Sequence, residues 1–210
     1  MSGKIEAGAV GSGDSLISLP GPAEEVATVK GLLRNGEAVR AAVAGDSVEL
    51  GVSGVEEASF AVTGSVLCHP DAPVPVARKL RVTLFAFETL ETPIVKGFPA
   101  LLCMPPPPFP SPPWGVFGAE FALLCTDAHG AVEPCVVSKL LHVATASGVV
   151  CKDKPPPRAL TAGKAAAVVL TLERPMAMET FEDSKALGRF TLRAGDATVA
   201  QGMVTKMQPQ

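Results

Sequence analysis

The chain has 210 residues, a formal net charge of −3 and a hydrophobic content of 47% against 19% charged residues. This composition supplies a core and excludes global disorder, and the weak net charge excludes a chain-wide basic footprint for DNA or other nucleic acid. No apolar run approaches the ~20 residues of a membrane-spanning helix, no secretory signal follows Met1, and five scattered cysteines predict reduced thiols in the cytoplasm.

Short segments of alternating apolar residues dominate the chain, and they predict strands over 46–52, 80–87 and 188–193. Alternate residues share one face of a strand, so each of these segments is expected to bury one face. Residues 165–172 are apolar on both faces, which fits a buried strand or a short helix, and their β-branched content favours the strand. The Asn35-Gly36 dipeptide predicts a tight hairpin turn. Short strands with frequent turns indicate an all-β fold of small barrels.

A proline-rich connector divides the chain. Three prolines lie within residues 70–75, where they interrupt strand hydrogen bonding and stiffen the backbone. We therefore predict a first domain over residues 1–69, a linker over residues 70–75 and a second domain over residues 76–208.

A second proline-rich segment, residues 104–118, is too rich in proline for a strand or a helix. One interpretation is a polyproline II ligand for an SH3 or WW domain. The other is a disordered loop inserted into the second domain at about residues 104–120. The sequence Ala-Leu-Leu-Cys occurs before the segment at 100–103 and again after it at 122–125. This repeated flank favours an insertion by duplication or intron retention, because loops tolerate added length.

Motifs for catalysis and for metal or nucleotide binding are missing from the sequence. Residues 158–165 come nearest to the phosphate-binding pattern G-x-x-x-x-G-K-[ST], but Arg158 replaces its first glycine and Ala165 replaces the residue that would hold magnesium. The cysteines and histidines lack zinc-site spacing, and neighbouring carboxylates in a strand point to opposite faces. The sequence thus predicts no catalytic, metal-binding or cofactor-binding residue and no enzyme activity in this chain.

Two groups of glycine-containing motifs are similar to a known family. The motifs GKIEAG at 3–8, VKG at 29–31 and AGD at 44–46 resemble domain II of the translational GTPases, the relatives of elongation factor Tu and elongation factor 1-alpha. PIVKGFP at 93–99 and LGRFTLR at 187–193 resemble domain III. The resemblance implies two consecutive six-stranded β-barrels, the first of which is truncated at its start and left unclosed.

Within this family, the motifs at 2–8 and 93–99 look most like the Hbs-type ribosome-rescue branch. Residues 181–193 also fit the release-factor branch, and an elongation factor alpha is a third alternative. In the Hbs branch, the complete factor works with a Pelota (Dom34) protein at stalled ribosomes. Its barrels contact that partner, the ribosome and the factor's own G domain.

The resemblance further implies that GTP and magnesium are bound only by a G domain that this chain lacks. The chain is then a barrel module in ribosome rescue and mRNA surveillance. The alternative interpretation is a non-functional fragment of a gene model.

The candidate partner-binding residues are Arg189, Thr191 and Arg193. They alternate along one face of the predicted strand 188–193 and could reach acidic or phosphate groups of a partner. The structural alternative is that Arg189 braces its barrel through a local salt bridge.

Overall fold

The structure is a computed structural model, and it describes residues 1–22, 24–56, 60, 62, 64–104, 123–126, 131–144, 150–151 and 156–209. The polyproline ligand or disordered loop predicted within residues 104–120 lies almost wholly outside these ranges. The chain divides into two compact units. The first contains Met1–Val74 with Pro106–Gly130, and the second contains Pro75–Pro105 with Ala131–Gln210.

The elements bounded within the described residues are β-strands. In chain order they are β1 (Ser2–Ala7), β2 (Ala9–Gly11), β3 (Ser15–Leu19), β4 (Val26–Arg34), β5 (Glu37–Val39), β6 (Ala41–Val43), β7 (Ser47–Ser53), β8 (Val66–Cys68), β9 (Val76–Ala86), β10 (Ile94–Val95), β11 (Pro99–Cys103), β12 (Leu123–Thr126), β13 (Val132–Ala144), β14 (Val150–Cys151), β15 (Ala159–Leu160), β16 (Ala165–Ala177), β17 (Arg189–Ala194) and β18 (Ala197–Pro209). The all-β prediction is confirmed.

The first unit is a closed six-stranded barrel. Its strands follow the order β3-β8-β12-β1-β7-β4, and a pairing between β3 and β4 closes the ring. Strand β5 extends the sheet beside β4, while β2 and β6 form a separate two-stranded ladder. Alternate residues of the strands point inwards and form the core, and its largest members include Ile5, Leu16, Leu32, Leu50 and Leu67.

The second unit is also a closed six-stranded barrel. The strand order is β11-β17-β18-β9-β16-β13, and β11 pairs with β13 to close the ring. Strand β14 extends the sheet beside β13, and β10 pairs with β15. Four of its strands are long, with 11 residues in β9 and 13 in each of β13, β16 and β18. The two-barrel architecture is therefore confirmed.

The predicted strands lie where the alternation placed them. Val48 and Leu50 are buried in β7, and Leu80, Val82, Leu84 and Ala86 are fully buried in β9. Segment 165–172 belongs to strand β16, so the strand interpretation is correct there. No helix in the described part of the chain has the length and apolar character needed to cross a membrane.

The hairpin between β4 and β5 forms at the predicted dipeptide. Asn35 has a φ of 53° and Gly36 a φ of 80°, and the flanking Arg34 and Glu37 are in register. Two consecutive positive φ values define the turn whose twist matches antiparallel strands, and asparagine and glycine are the residues that tolerate them.

The closure of the first barrel differs from the expectation of an unclosed domain. Strand β12, which follows the proline-rich segment, lies between β1 and β8 and completes the ring. For the same reason the described residues 123–126 group with the first unit. The order of the strands in the sequence does not predict this closure, because β9–β11, which belong to the second barrel, separate β12 from β8 in the chain.

Candidate partner-binding face of the second barrel

Strand β17 places the three predicted residues on one side of the second barrel. Phe190 and Leu192 are 1% and 0% exposed and point into the core. The residues that alternate with them, Arg189, Thr191 and Arg193, lie on the outer face, where the first two are half-buried and Arg193 is exposed. The predicted grouping of these three side chains follows directly from the strand periodicity.

Arg189 braces its own barrel. Its guanidinium carbon lies 4.8 Å from the centre of the Phe181 ring, an arrangement in which the positive charge faces the negative face of the aromatic system. The brace is therefore a cation–π contact rather than the salt bridge considered from the sequence. Because its guanidinium is engaged within the barrel, Arg189 is a weaker candidate for partner contact than Arg193.

Arg193 keeps most of its hydrogen-bonding capacity available. Its Nη2 donates to the backbone carbonyl of Asp196 at 3.1 Å across the turn between β17 and β18. A guanidinium carries five N–H donors in a planar fork. Within the described residues Arg193 makes no salt bridge, so its positive charge is free to meet an acidic or phosphate group.

A shallow depression of about 710 Å³ lies next to Arg193 on the outside of the barrel. Residues from β9, β11, β13, β16 and β17 line it, so five strands of one barrel build this surface. The side chains that line it include those of Arg78, Leu101, Val136, Thr171, Glu173 and Arg193. We call this surface the Arg193 face.

The polar side chains of the Arg193 face are held by specific hydrogen bonds. Arg78 donates from Nε to the backbone carbonyl of Leu172 at 3.1 Å, which orients the rest of its guanidinium. The hydroxyls of Ser138 and Thr171 lie 2.6 Å apart. Preorganised polar groups of this kind lose little freedom when a partner binds.

Exposed apolar side chains adjoin these charges. Leu101 in β11 is 38% exposed, and Val136 and Val132 in β13 are 42% and 53% exposed. Strands β11 and β13 are paired neighbours in the sheet, so the three residues lie on one pair of adjacent strands. Apolar residues combined with arginine are typical of the buried centre of a protein–protein interface. The Arg193 face thus has the composition of a docking surface.

Two thiols near this face differ in environment. Burial raises the pKa of the Cys135 thiol to about 12. Burial also raises the pKa of Cys103, while the positive charge of Arg193 acts in the opposite direction. Both thiols are therefore protonated at neutral pH, so neither is an activated nucleophile.

Metal or nucleotide chemistry has no support in the described residues. They contain no cluster of three or more His, Cys, Asp or Glu side chains placed to hold a metal ion. Gly163 and Lys164, the fragment nearest to a phosphate-binding motif, lie in a turn that leads directly into strand β16. A phosphate cradle needs a glycine-rich loop that opens a helix, so this fragment does not fit GTP with magnesium.

Of the three residues predicted from the sequence, Arg193 lines this face, whereas Arg189 and Thr191 are not among its lining residues. The sequence analysis did not predict the residues that other strands contribute. Arg78, Leu101 and Val136 are outward-facing positions on other strands. Strand β11 pairs directly with β17, so Leu101 stands opposite Arg193, and Val136 comes beside them through the pairing of β11 with β13. Alternation does assign them to the outside of their strands. However, it does not say which strands are neighbours.

Comparison with known proteins identifies the family. The profile of the family described as "GTP-eEF1A C-terminal domain-like" matches residues 122–205. Protein HBS1 of Drosophila melanogaster is 31% identical over 211 residues, which is 99% of this chain and 27% of the relative. The release factor GTP-binding subunit of Zygosaccharomyces rouxii is 30% identical over 208 residues, again 99% of this chain and 27% of the relative.

A solved structure agrees with these relatives. The crystal structure of Sup35 in complex with GDP superimposes with a TM-score of 0.78 and 26% identity, covering 99% of this chain and 43% of Sup35. The chain is thus a tandem β-barrel module of the type found in translation factors. In sequence and in fold its two barrels are similar to the C-terminal barrel domains of the translational GTPases. It spans about a quarter of the length of the curated relatives it matches, with 27% coverage in the first two.

Proposed function

We propose that this chain acts in ribosome rescue and translation-linked mRNA surveillance as the barrel module of an Hbs-type translational GTPase. The observation that carries this proposal is the match to fly HBS1, which extends over both barrels and 99% of the chain. The motifs at residues 2–8 and 93–99 support the same branch.

In this proposal the barrels contribute contacts rather than chemistry. The Arg193 face binds a Pelota/Dom34-like partner, with Leu101 and Val136 at the centre of the interface and Arg78 and Arg193 pairing with acidic groups. Ribosome contacts, and contacts to the factor's own G domain, come from other surfaces of the barrels. The site of action is the cytoplasm.

GTP and magnesium belong to a G domain in this scheme, and the chain itself is not an enzyme. The lack of a phosphate cradle at Gly163 and Lys164 supports this assignment. Binding of the barrels to their partner is then expected to be independent of GTP. Hydrolysis is expected only for a factor that includes the G domain.

A release-factor or elongation-factor-alpha module is the alternative. The 30% identity to the Zygosaccharomyces rouxii release factor subunit favours the release-factor branch among these. That assignment predicts binding to the other subunit of the peptide chain release factor in place of a Pelota/Dom34-like protein. A non-functional fragment, the remaining alternative, predicts binding to neither.

The test is a binding measurement with a matched pair of arginine variants. The purified chain is titrated with a Pelota/Dom34-like protein, with the release factor's other subunit and with ribosomes. Arg193→Ala is expected to weaken binding to the Pelota/Dom34-like protein by about tenfold to a hundredfold, because a charge-assisted hydrogen bond contributes about 1.5–3 kcal/mol and each 1.4 kcal/mol is about a factor of ten. Arg189→Ala is the control, since it removes the contact to Phe181 and should lower thermal stability more than affinity.

The results separate the alternatives. Tighter binding to the release factor's other subunit would move the chain to that branch. Loss of folding in Arg193→Ala would show that this arginine stabilises the barrel instead of binding a partner. No association of the folded wild-type chain with any of the three would contradict the proposal.

A further inference from the structure

Three positive side chains form a row across the outside of the second barrel. Val169 of β16 stands opposite Lys139 of β13 and opposite Arg81 of β9. Arg81 in turn stands opposite Lys206 of β18. Directly opposite residues of paired strands share one face of the sheet, and neighbouring strands lie about 4.8 Å apart, so the row crosses four strands over about 14 Å. We call Lys139, Arg81 and Lys206 the basic row.

The basic row faces away from the core. Leu80 and Val82, which flank Arg81 in β9, are 0% exposed and belong to the core. Because successive side chains of a strand point to opposite faces, Arg81 and the residues in register with it point outwards. Lys139 and Lys206 are exposed, and Arg81 is half-buried.

Two β-bulges bring the lysines to this outer face. Val137 and Val204 point into the core, where they are 0% and 1% exposed. In regular strands Lys139 and Lys206, each two residues after one of these valines, would point into the core as well. The register shifts by one residue between each valine and its lysine. The extra residue of each bulge therefore turns the following lysine outwards.

Hydrogen bonds hold the extra residue of each bulge in place. The hydroxyl of Ser138 lies 2.6 Å from the hydroxyl of Thr171 on the neighbouring strand. The hydroxyl of Thr205 donates to the backbone carbonyl of Arg81 at 2.9 Å. Bulges often serve to re-aim a side chain next to a functional site. The alignment of the three cations is thus built into the backbone of the barrel.

The positive charges of the basic row are not neutralised by neighbouring carboxylates. Among the residues that the structure describes, no salt bridge involves Lys139, Arg81 or Lys206. Lys79, which alternates with Arg81 on the outer face of β9, is a further exposed cation without a salt bridge there. The chain as a whole carries a net charge of −3. Cations concentrated on one face give that face a positive potential that attracts anions.

We propose that the basic row binds the phosphate backbone of RNA. Lysine and arginine provide most contacts to nucleic-acid phosphates, and a straight row of cations matches a linear polyanion. An acidic protein is a weaker candidate, because lysine is depleted at protein–protein interfaces. The choice of RNA over DNA rests on the proposed function in translation. The basic row then supplies one of the ribosome contacts that the proposed function leaves to surfaces outside the Arg193 face.

The salt dependence of RNA binding by the unmodified full chain is the first test. Fluorescence anisotropy of a labelled RNA duplex of roughly 20 base pairs measures the affinity between about 50 and about 200 mM salt. Each phosphate contact contributes about −0.9 to the slope of log affinity against log salt concentration, so the basic row with Lys79 predicts a slope of about −3. The affinity is then expected to fall about sixtyfold over this range.

Charge-removing variants locate the site. Lys139→Gln and Lys206→Gln are each expected to weaken RNA binding and to reduce the slope by about one, because each removes one phosphate contact. Lys139→Arg keeps the charge and is expected to bind RNA like the wild-type chain. The matched control is Lys164→Gln, which removes an exposed lysine of the same barrel, in the turn before β16 and outside the basic row. It should leave the slope unchanged.

Several results would overturn the RNA site. One is a slope near zero for the folded wild-type chain, and another is an equal loss of affinity in Lys164→Gln. Tighter binding to a DNA duplex of the same length would overturn the assignment to RNA. Loss of the Pelota/Dom34-like protein with unchanged RNA binding in Lys139→Gln would make the basic row a protein contact. The partner titration with Arg193→Ala tests the proposed function separately, so failure of either inference is recognised without the other.

Discussion

The two barrels of this chain reach the same closed ring by different routes. The second barrel is built from long strands, and its β9, β16 and β18 lie side by side over most of their length. The first barrel uses shorter strands, and its ring closes through four residues, Leu123–Thr126, that come from beyond β11. Continuous ladders hold the second barrel together, whereas a single short strand completes the first.

This difference bears on where a binding surface can be placed. A barrel with long, continuous ladders tolerates exposed apolar residues on its outside, because its core and backbone pairing supply its stability. The Arg193 face lies on this barrel, with Leu101 and Val136 exposed. We therefore expect the second barrel to be the more tolerant of surface change.

The largest expected effect contrasts the inside and the outside of the second barrel. Leu170 in β16 is 0% exposed, so Leu170→Ala leaves a cavity and is expected to lower the free energy of unfolding by about 2–5 kcal/mol. Leu101→Ala, at a position that is 38% exposed, is expected to change it by no more than about 0.5 kcal/mol. Urea denaturation measures both. Similar losses in the two variants would mean that the Arg193 face is part of the stabilising structure.

A smaller effect contrasts one glycine in each barrel. A Cβ added at Gly202 in β18 would collide with the Phe190 ring and lie 2.8 Å from Cδ2 of Leu84, so Gly202→Ala is expected to destabilise by about 1–3 kcal/mol. Gly31 in β4 has no atom within 4 Å of that position. Gly31→Ala is therefore expected to stabilise by about 0.4–1 kcal/mol, through the unfolded chain. Thermal unfolding measures whether the two variants shift the melting temperature in opposite directions. A shift in the same direction in both variants would refute the packing argument.

At neutral pH the smallest expected effect is that of the Cys135 thiol, which burial keeps protonated and which gives a pH dependence only in alkaline solution. The pKa of this thiol rises from 9.0 to about 12 on folding. Below pH 9 both states hold the proton, so the thiol adds no pH dependence. Above pH 9 the unfolded chain ionises first, so stability falls with rising pH by at most about 1.4 kcal/mol per pH unit until about pH 12.

The matched comparison for this effect is the Cys135→Ala variant. It lacks the thiol and should show a shallower decline of the urea midpoint above pH 9 than the wild-type chain. Cys103→Ala, at a less buried thiol, should resemble the wild type more closely. Identical profiles for the wild-type chain and Cys135→Ala would mean that the thiol ionises freely in the folded state.

Most of the fold was predictable because alternation is a local signal. The alternation of Leu80, Val82 and Leu84 predicts the buried face of β9. The dipeptide Asn35-Gly36 likewise predicts the hairpin between β4 and β5, and neither prediction needs information from elsewhere in the chain. The closing strand was not predictable in this way. Ala-Leu-Leu-Cys at 122–125 is too short for a periodic signal, and its partners Ile5 and Leu67 are distant in sequence.

The candidate face was predictable in part for the same reason. Arg189, Thr191 and Arg193 lie on one strand, so their common orientation follows from its period. The contact between Arg189 and Phe181 depends on how a loop returns to the barrel, and no local pattern encodes it. The neighbours Arg78 and Leu101 depend on strand order, which only the folded ring defines.

The position of β12 in the chain also determines when the first barrel can close during synthesis. A ribosome makes the chain from its amino end, so β1 and β8 leave the exit tunnel well before residues 123–126 that pair with them. The first barrel therefore stays incomplete, with the edges of β1 and β8 unpaired, while β9–β11 of the second barrel are being synthesised. Such late, non-local pairing slows folding and exposes nascent chains to aggregation. During synthesis of this protein, the barrel that is translated first can be completed only after strands β9–β11 of the second have emerged.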